Sequence, residues 1–443
     1  MTGTADLILT GDVVLTVDAD GTVIRRGAVA ITDGSIVAVG PIEDVLERFS
    51  AESIIDSPGC IIMPGWVNTH THLAMNVFRG AADDVTLEEF LERLIGAELR
   101  SLTEEMVSVG ARAAIAECIA GGTTTALDMY WHPQAARAVA REAGFRLLNG
   151  PTFMGERDPE GRDFAAMLAR AESILIENRG DADAELWVMP HSTYTLSREQ
   201  LQRIQELAER FDARINTHAS ESLGELATVA ARHQARPIAV LDEAGLIGPR
   251  TVLAHAVHLD SDEIGRIAQA GATVAHCPIS NLKLACGIAP VPALLGAHAS
   301  VGLGTDGAAS AGSLDMKAVV TMAALLHKGV SFDPTMIDAE RAVRLGTVDG
   351  ARGLGLTTVG TIEVGMAADL QVVRADGLNT APTTDPWSAI VYGSTAADVR
   401  HVVIDGRVVM RDRELQTIDQ QSALRELVDV AAQAFAATQD AEQ

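Results

Sequence analysis

A chain of 443 residues exceeds one ordinary small domain, and 47% hydrophobic residues suffice for a sizeable core, yet the apolar runs are short and broken by Gly, Asp or Arg, so no membrane span is expected. Only 34 Lys plus Arg stand against 60 Asp plus Glu, and a net charge of −26 without a basic patch argues against nucleic acid as a partner. The first residues lack the basic-then-apolar pattern of a secretory signal, and Cys60, Cys118, Cys277 and Cys286 form no Cys-x-x-Cys pair, so a cytoplasmic protein with reduced thiols and a small-molecule substrate is expected.

Residues 1–64 read as short strands, Leu7 to Val17, Gly27 to Ile31 and Ser35 to Val39, the last two joined by an Asp33-Gly34 hairpin turn. From 65 to 355, β-branched runs alternate with longer stretches of helical pattern, which marks βαβ units and a parallel sheet. There are eight such runs: Trp66 to His72, Thr123 to Tyr130, Phe145 to Thr152, Leu186 to Ser192, Arg214 to Ala219, Val252 to His258, Thr273 to Pro278 and Val301 to Asp306. Eight strand-helix repeats fit a closed (β/α)8 TIM-like barrel better than an open doubly wound sheet. The β texture returns in Ile362 to Val373 and in Val399 to Val409, the latter with an Asp405-Gly406 turn. The reading is therefore α/β: a metal-dependent barrel at 65–355, a small composite β-sandwich domain from both chain ends (1–64 and 356–421), and an Ala-rich, amphipathic C-terminal helix at 422–443.

Nearly every barrel run ends in His or Asp, and barrel active sites sit at the C-terminal ends of the strands. The first run ends Asn68-Thr69-His70-Thr71-His72, where a period of two turns both imidazoles to one side. The fifth ends at His218 and the eighth at Asp306, completing a ligand set for one divalent cation, zinc first, with iron or manganese as alternatives. A lone histidine is more often a hydrogen-bonded core residue than a ligand; the joint placement of all four side chains favours metal. His132, His233, His298, His327 and His401 lack that placement and read as surface or structural residues. Three residues past His218, Glu221 reads as a general acid/base that carries a proton from the attacking water to a ring nitrogen, against the plainer reading of a helix N-terminal charge. His255, ending the sixth run, is placed to hold or polarise that water, and Asp306 is both ligand and proton acceptor. The chain has only three lysines (Lys283, Lys317, Lys328), none near the end of the fourth strand where a bridging carboxylated lysine would stand, so one metal is expected and His191 there becomes a candidate substrate contact.

With these residues in place, the chain resembles the amidohydrolase superfamily over essentially its whole length. Within it the likeness is to the S-adenosylhomocysteine and methylthioadenosine deaminases and the neighbouring triazine chlorohydrolases. The stretches that carry it are Pro64-Gly65-Trp66-Val67-Asn68-Thr69-His70-Thr71-His72, Arg79-Gly80-Ala81-Ala82-Asp83-Asp84, Ser280-Asn281-Leu282-Lys283-Leu284 and Gly304-Thr305-Asp306-Gly307-Ala308-Ala309-Ser310. The resemblance implies a deaminase acting on the 6-amino group of an adenine nucleoside, with His70, His72, His218 and Asp306 on the metal, Glu221 and His255 catalytic, and Glu98 and His191 on the ribose hydroxyls. Arg162 or Arg157 is the candidate to grip an amino-acid carboxylate bidentately, and analogy with the family implies a homo-oligomer. Three departures bear on this. Leu94-Ile95-Gly96-Ala97-Glu98 is about one residue shorter than the family pattern, Gly150-Pro151-Thr152-Phe153-Met154 lacks the arginine of homocysteine-tolerant members, and Ala311-Gly312 replaces asparagines. The competing readings are a chlorohydrolase or a deaminase of another heterocycle (triazine, guanine-type base or pterin), and a barrel that has lost its metal.

Overall fold

The computed structural model describes residues 3–180 and 185–439, with side chains as far as Phe435. Its barrel strands run in chain order: Trp66–Thr71, Thr123–Asp128, Arg146–Asn149, Trp187–Pro190, Arg214–Ala219, Thr251–His255, Thr273–His276 and Ser300–Leu303. Neighbours pair in parallel, and the ring closes where Asp306 N donates to His70 O at 3.1 Å, joining the eighth strand to the first. The third strand is interrupted at Gly150-Pro151 and resumes at Thr152–Phe153, which pairs with the fourth. A Cβ at position 150 would stand 2.1 Å from the Trp187 carbonyl oxygen, so the close approach of these two strands requires glycine.

Strands from both chain ends build a single eight-stranded sheet. Its spine is Phe49–Pro64, paired in parallel with Gly3–Leu15 on one side and antiparallel with Leu370–Arg374 on the other. Leu7, Val29, Ile31, Ile62, Leu370 and Val403 share one apolar cluster, so the two halves bury their inner faces together. Two details differ from the sequence reading. Phe49–Pro64 is a strand that was not expected, and of Ile362 to Val373 only the last four residues join the ladder, in the strand Leu370–Arg374.

Three elements cover the barrel mouth. A 3-10 helix, Leu73–Phe78, follows the first strand; the helix Leu87–Ser101 follows it, opened by a Thr86/Glu89 capping box and burying Leu87, Phe90, Leu94 and Glu98. The C-terminal helix, Gln420–Gln439, packs on both and on Glu104–Ala120, with Leu427, Val430 and Ala434 joining the Phe90 and Leu94 cluster. It starts two residues earlier than the expected 422–443, whose last four positions lie outside the described residues. Among the described residues no helix is long and apolar enough to cross a membrane.

Candidate active site

At the C-terminal end of the barrel, one ligand atom from each of His70, His72, His218 and Asp306 lies within 4.8 Å of the others, and all four side chains are buried. Asp306 Oδ1 is 3.1 Å from His72 Nε2 and 3.6 Å from His70 Nε2, while His218 Nε2 and His72 Nε2 are 3.3 Å apart. His70 Nε2 has no hydrogen-bond partner despite complete burial. Polar atoms turned inward on a common point, one of them orphaned, are the donor set of a cation site. The electrostatics agree. Burial alone would raise the Asp306 carboxyl, but the adjoining His70 and His72 imidazoles hold it well below the usual range; burial opposes charge on His72, yet Asp306 outweighs it and pushes His72 up to about 9. Burial pushes His70 down to about 4, which keeps that ring neutral.

The far sides of these ligands are fixed by a second layer. His72 Nδ1 bonds the Met129 carbonyl and His218 Nδ1 the His191 carbonyl at 2.9 Å, each fixing Nε2 as the atom turned inward. His70 Nδ1 meets the Asn216 amide at 3.2 Å. Ser280 Oγ and Ser310 Oγ donate to Asp306 Oδ2 at 2.6 and 2.7 Å, so Oδ1 is the oxygen turned to the histidines.

His72, His218, Asp306 and Ser310 line a pocket walled on one side by apolar side chains of Leu87–Ser101. Glu221 and His255 stand in it, with Glu221 Oε1 3.7 Å from His255 Nδ1. Burial raises the Glu221 carboxyl, the direction that suits a group exchanging protons near neutral pH. His255 Nδ1 also lies 2.9 Å from Asn281 Oδ1; with the proton on Nδ1 donated there, Nε2 is left as an acceptor. Glu98 is 3% exposed and reaches the pocket from its helix, Oε1 accepting from Tyr130 Oη at 2.6 Å and Oε2 from Trp131 Nε1 at 3.1 Å, while burial raises its carboxyl. His191 lines the same pocket. Its Nδ1 is engaged by the hydroxyls of Ser192 and Thr195 at 3.0 and 3.3 Å, and burial pushes it down to about 3, so a neutral ring keeps Nε2 free of these bonds.

Arg162 is not brought to this pocket. It lines an adjoining cavity that shares Trp131 and Thr152 with the first, and its guanidinium is committed to Asp158 (2.6 Å) and Glu160. Arg157 bonds the Gly161 carbonyl at 2.8 Å. Sequence reasoning assigned no role to Tyr130, Trp131, Asn216, Ser280, Asn281 or Ser310. For Tyr130 and Trp131 a signal existed, since they lie two and three residues past the second strand, where the strand-end rule places site residues.

A model of the amidohydrolase family matches residues 61–409. A 5-methylthioadenosine/S-adenosylhomocysteine deaminase of Syntrophobacter fumaroxidans is 41% identical over 94% of this chain and 95% of its own. A 5'-deoxyadenosine deaminase of Methanothermobacter thermautotrophicus is 38% identical over 96% of this chain and 98% of its own. A crystal structure of an adenosine deaminase from Xanthomonas campestris with bound zinc superposes with a TM-score of 0.95, at 34% identity, covering 98% of this chain and 99% of that one. Matched by family model, by relatives and by fold along nearly its whole length, the chain belongs to the amidohydrolase family.

Proposed function

We propose that this protein is a metal-dependent hydrolytic deaminase that removes the 6-amino group of an adenine nucleoside (adenosine, methylthioadenosine or S-adenosylhomocysteine) and releases ammonia. The observation that carries it is the meeting of His70, His72, His218 and Asp306 within 4.8 Å, the last three lining one pocket with Glu221, His255, Glu98 and His191. The relatives named for exactly this class of substrate support it at 38–41% identity.

Three imidazoles and a carboxylate suit zinc, and the zinc in the similar adenosine deaminase supports the same ion here, with iron and manganese as the alternatives a metal analysis distinguishes. A cation held by these four side chains would supply Lewis acidity that makes water a competent nucleophile toward the ring carbon at neutral pH. Proton transfer falls to Glu221, whose burial-raised carboxyl takes a proton from the attacking water and passes it to the ring nitrogen, with Asp306 as ligand and second proton acceptor beside it. His255 Nε2 accepts a hydrogen bond from that water while Asn281 fixes the ring. Glu98 accepts from the ribose hydroxyls and His191 Nε2 completes the contact. A cytoplasmic setting fits four free cysteines.

Arg162 refines the substrate range. An amino-acid carboxylate gains its grip by displacing Asp158 and Glu160, and a buried charge without a partner is costly, so nucleosides with an uncharged 5' substituent are the better substrates. Ammonia release measured on adenosine, methylthioadenosine, S-adenosylhomocysteine, guanine and a triazine tests both statements. Turnover of the adenine nucleosides, with methylthioadenosine at least about tenfold ahead of S-adenosylhomocysteine in kcat/KM, is the expected result. Turnover of guanine or the triazine alone would refute the assignment.

A further inference from the structure

Glu225 has no part in the chemistry above, although it is 4% exposed and stands one helical turn from Glu221. It occupies the first turn of the helix Leu223–His233, three residues past the N-cap Ser222, whose Oγ accepts from Glu225 N at 2.9 Å. In an ordinary capping box the carboxylate at this position returns to the backbone N–H of the N-cap residue. Here it reaches past the cap. Oε1 accepts from Ser220 N at 3.1 Å and Oε2 from Glu221 N at 2.6 Å, so both oxygens clamp consecutive amides of the segment that carries Glu221.

That segment needs holding. Ser220 sits at φ +53°, a left-handed conformation that a serine does not adopt freely, and this step turns the chain out of the fifth barrel strand so that Glu221 leaves the strand line and enters the pocket. An ionised carboxylate only accepts and offers two oxygens in a fixed plane, which makes it the side chain suited to two adjacent N–H groups.

We propose that Glu225 is a positioning residue for Glu221: by clamping the Ser220 and Glu221 amides it maintains the left-handed turn and thereby aims the Glu221 carboxylate at the reacting atoms. The proposal rests on the reading of Glu221 as the proton carrier. The experiment is a double-mutant cycle on the metal-loaded enzyme with methylthioadenosine, comparing E221Q, E225Q and E221Q/E225Q, with metal content measured for each. A glutamine at 225 presents an NH2 group to one of the two amides, so E225Q lowers kcat roughly tenfold to 100-fold, the cost of a small misplacement of a reacting group, with KM within about threefold and full metal content. E221Q lowers kcat by about 100-fold or more, and adding E225Q to it costs less than about threefold, because the group being aimed is already disabled. S220G/E225Q recovers part of the loss, since glycine takes the positive φ without help. Losses that multiply in the double variant, or an unchanged kcat in E225Q, overturn the proposal while leaving the role of Glu221 standing. Normal turnover by E221Q removes that role and the proposal with it. Where E225Q yields no folded protein, E225D, which keeps the charge but shortens the reach, enters the same cycle under the same criteria.

Discussion

Glu98 already accepts hydrogen bonds from Tyr130 and Trp131, one on each oxygen, yet an ionised carboxylate has about four lone-pair sites and so retains one per oxygen for a vicinal diol. A glutamine there keeps one acceptor and turns a donor toward the other partner. E98Q should therefore raise KM for methylthioadenosine by about tenfold or more, the loss of a hydrogen bond to a charged group, and should narrow the preference for adenosine over 2'-deoxyadenosine. Equal losses on both nucleosides would mean that Glu98 does not read the sugar. The metal ligands were legible in the chain because each ends a barrel strand, and the spacing of His70 and His72 matches the strand period. Glu98 was not legible from its own surroundings, since only the tertiary approach of Tyr130 and Trp131 from the second strand distinguishes it from a solvated helix charge. The clamp made by Glu225 was hidden for a similar reason: its spacing from Ser222 announces a capping box, and the overshoot to Ser220 and Glu221 exists only in three dimensions.

The helix that delivers Glu98 gains part of its stability from the end of the chain. Leu427 and Val430 of the C-terminal helix pack on the cluster that contains Phe90 and Leu94, so the outer wall of the pocket is itself covered by residues more than 320 positions away in sequence. L427D, which sets a carboxylate against that apolar surface, should detach the terminal helix. The expected result is a KM several-fold higher with kcat nearly unchanged, since no reacting group moves, and greater amide exchange in Leu87–Ser101. An unchanged exchange pattern would show that the two helices are energetically independent. At this scale the alternation of strands and helices made the barrel legible, and the exceptions have local causes. Phe49–Pro64 contains Asp56-Ser57-Pro58-Gly59, which reads as a turn; in the fold it lies within a long strand, with a register shift between Gly11 and Val13 opposite and Gly59 at φ +72°. Ile362 to Asp369 carries strand-like residues, but Ile362 N, Gly365 N and Ala368 N bond the carbonyls of Thr16, Ile36 and Gly34, so its backbone is satisfied by turns and strand ends and not by a ladder.

For the molecule as a whole, acid stability depends on histidines that are buried neutral. His276 ends the seventh barrel strand and His327 lies on the helix Met316–Ser331; their Nε2 atoms are 3.3 Å apart, a contact that works only if one ring donates and the other accepts. Burial lowers both, His276 well below its ordinary value with the neighbouring His327 and His255 adding to the effect, and His327 to about 4. The unfolded chain protonates these rings near pH 6.5, so below that point it binds more protons than the folded state. Their contribution is therefore complete above about pH 6.5 and is lost progressively as pH falls toward the folded value of His327 near 4. Between pH 7 and 5.5 most carboxylates of the unfolded chain remain ionised, while buried carboxyls raised by burial, Asp128 to about 6 and Glu225 to about 7, take up protons in the folded state with the opposite sign, so the histidine contribution is read as the difference between parent and variant. Denaturant melts of the parent and of H327Q across this window isolate the His327 contribution. H327Q, whose amide still meets His276 but takes up no proton, should lack that contribution, differing less from the parent at pH 5.5 than at pH 7. Parallel profiles for the two proteins would locate the acid sensitivity elsewhere, with the metal-binding histidines as the next group to test.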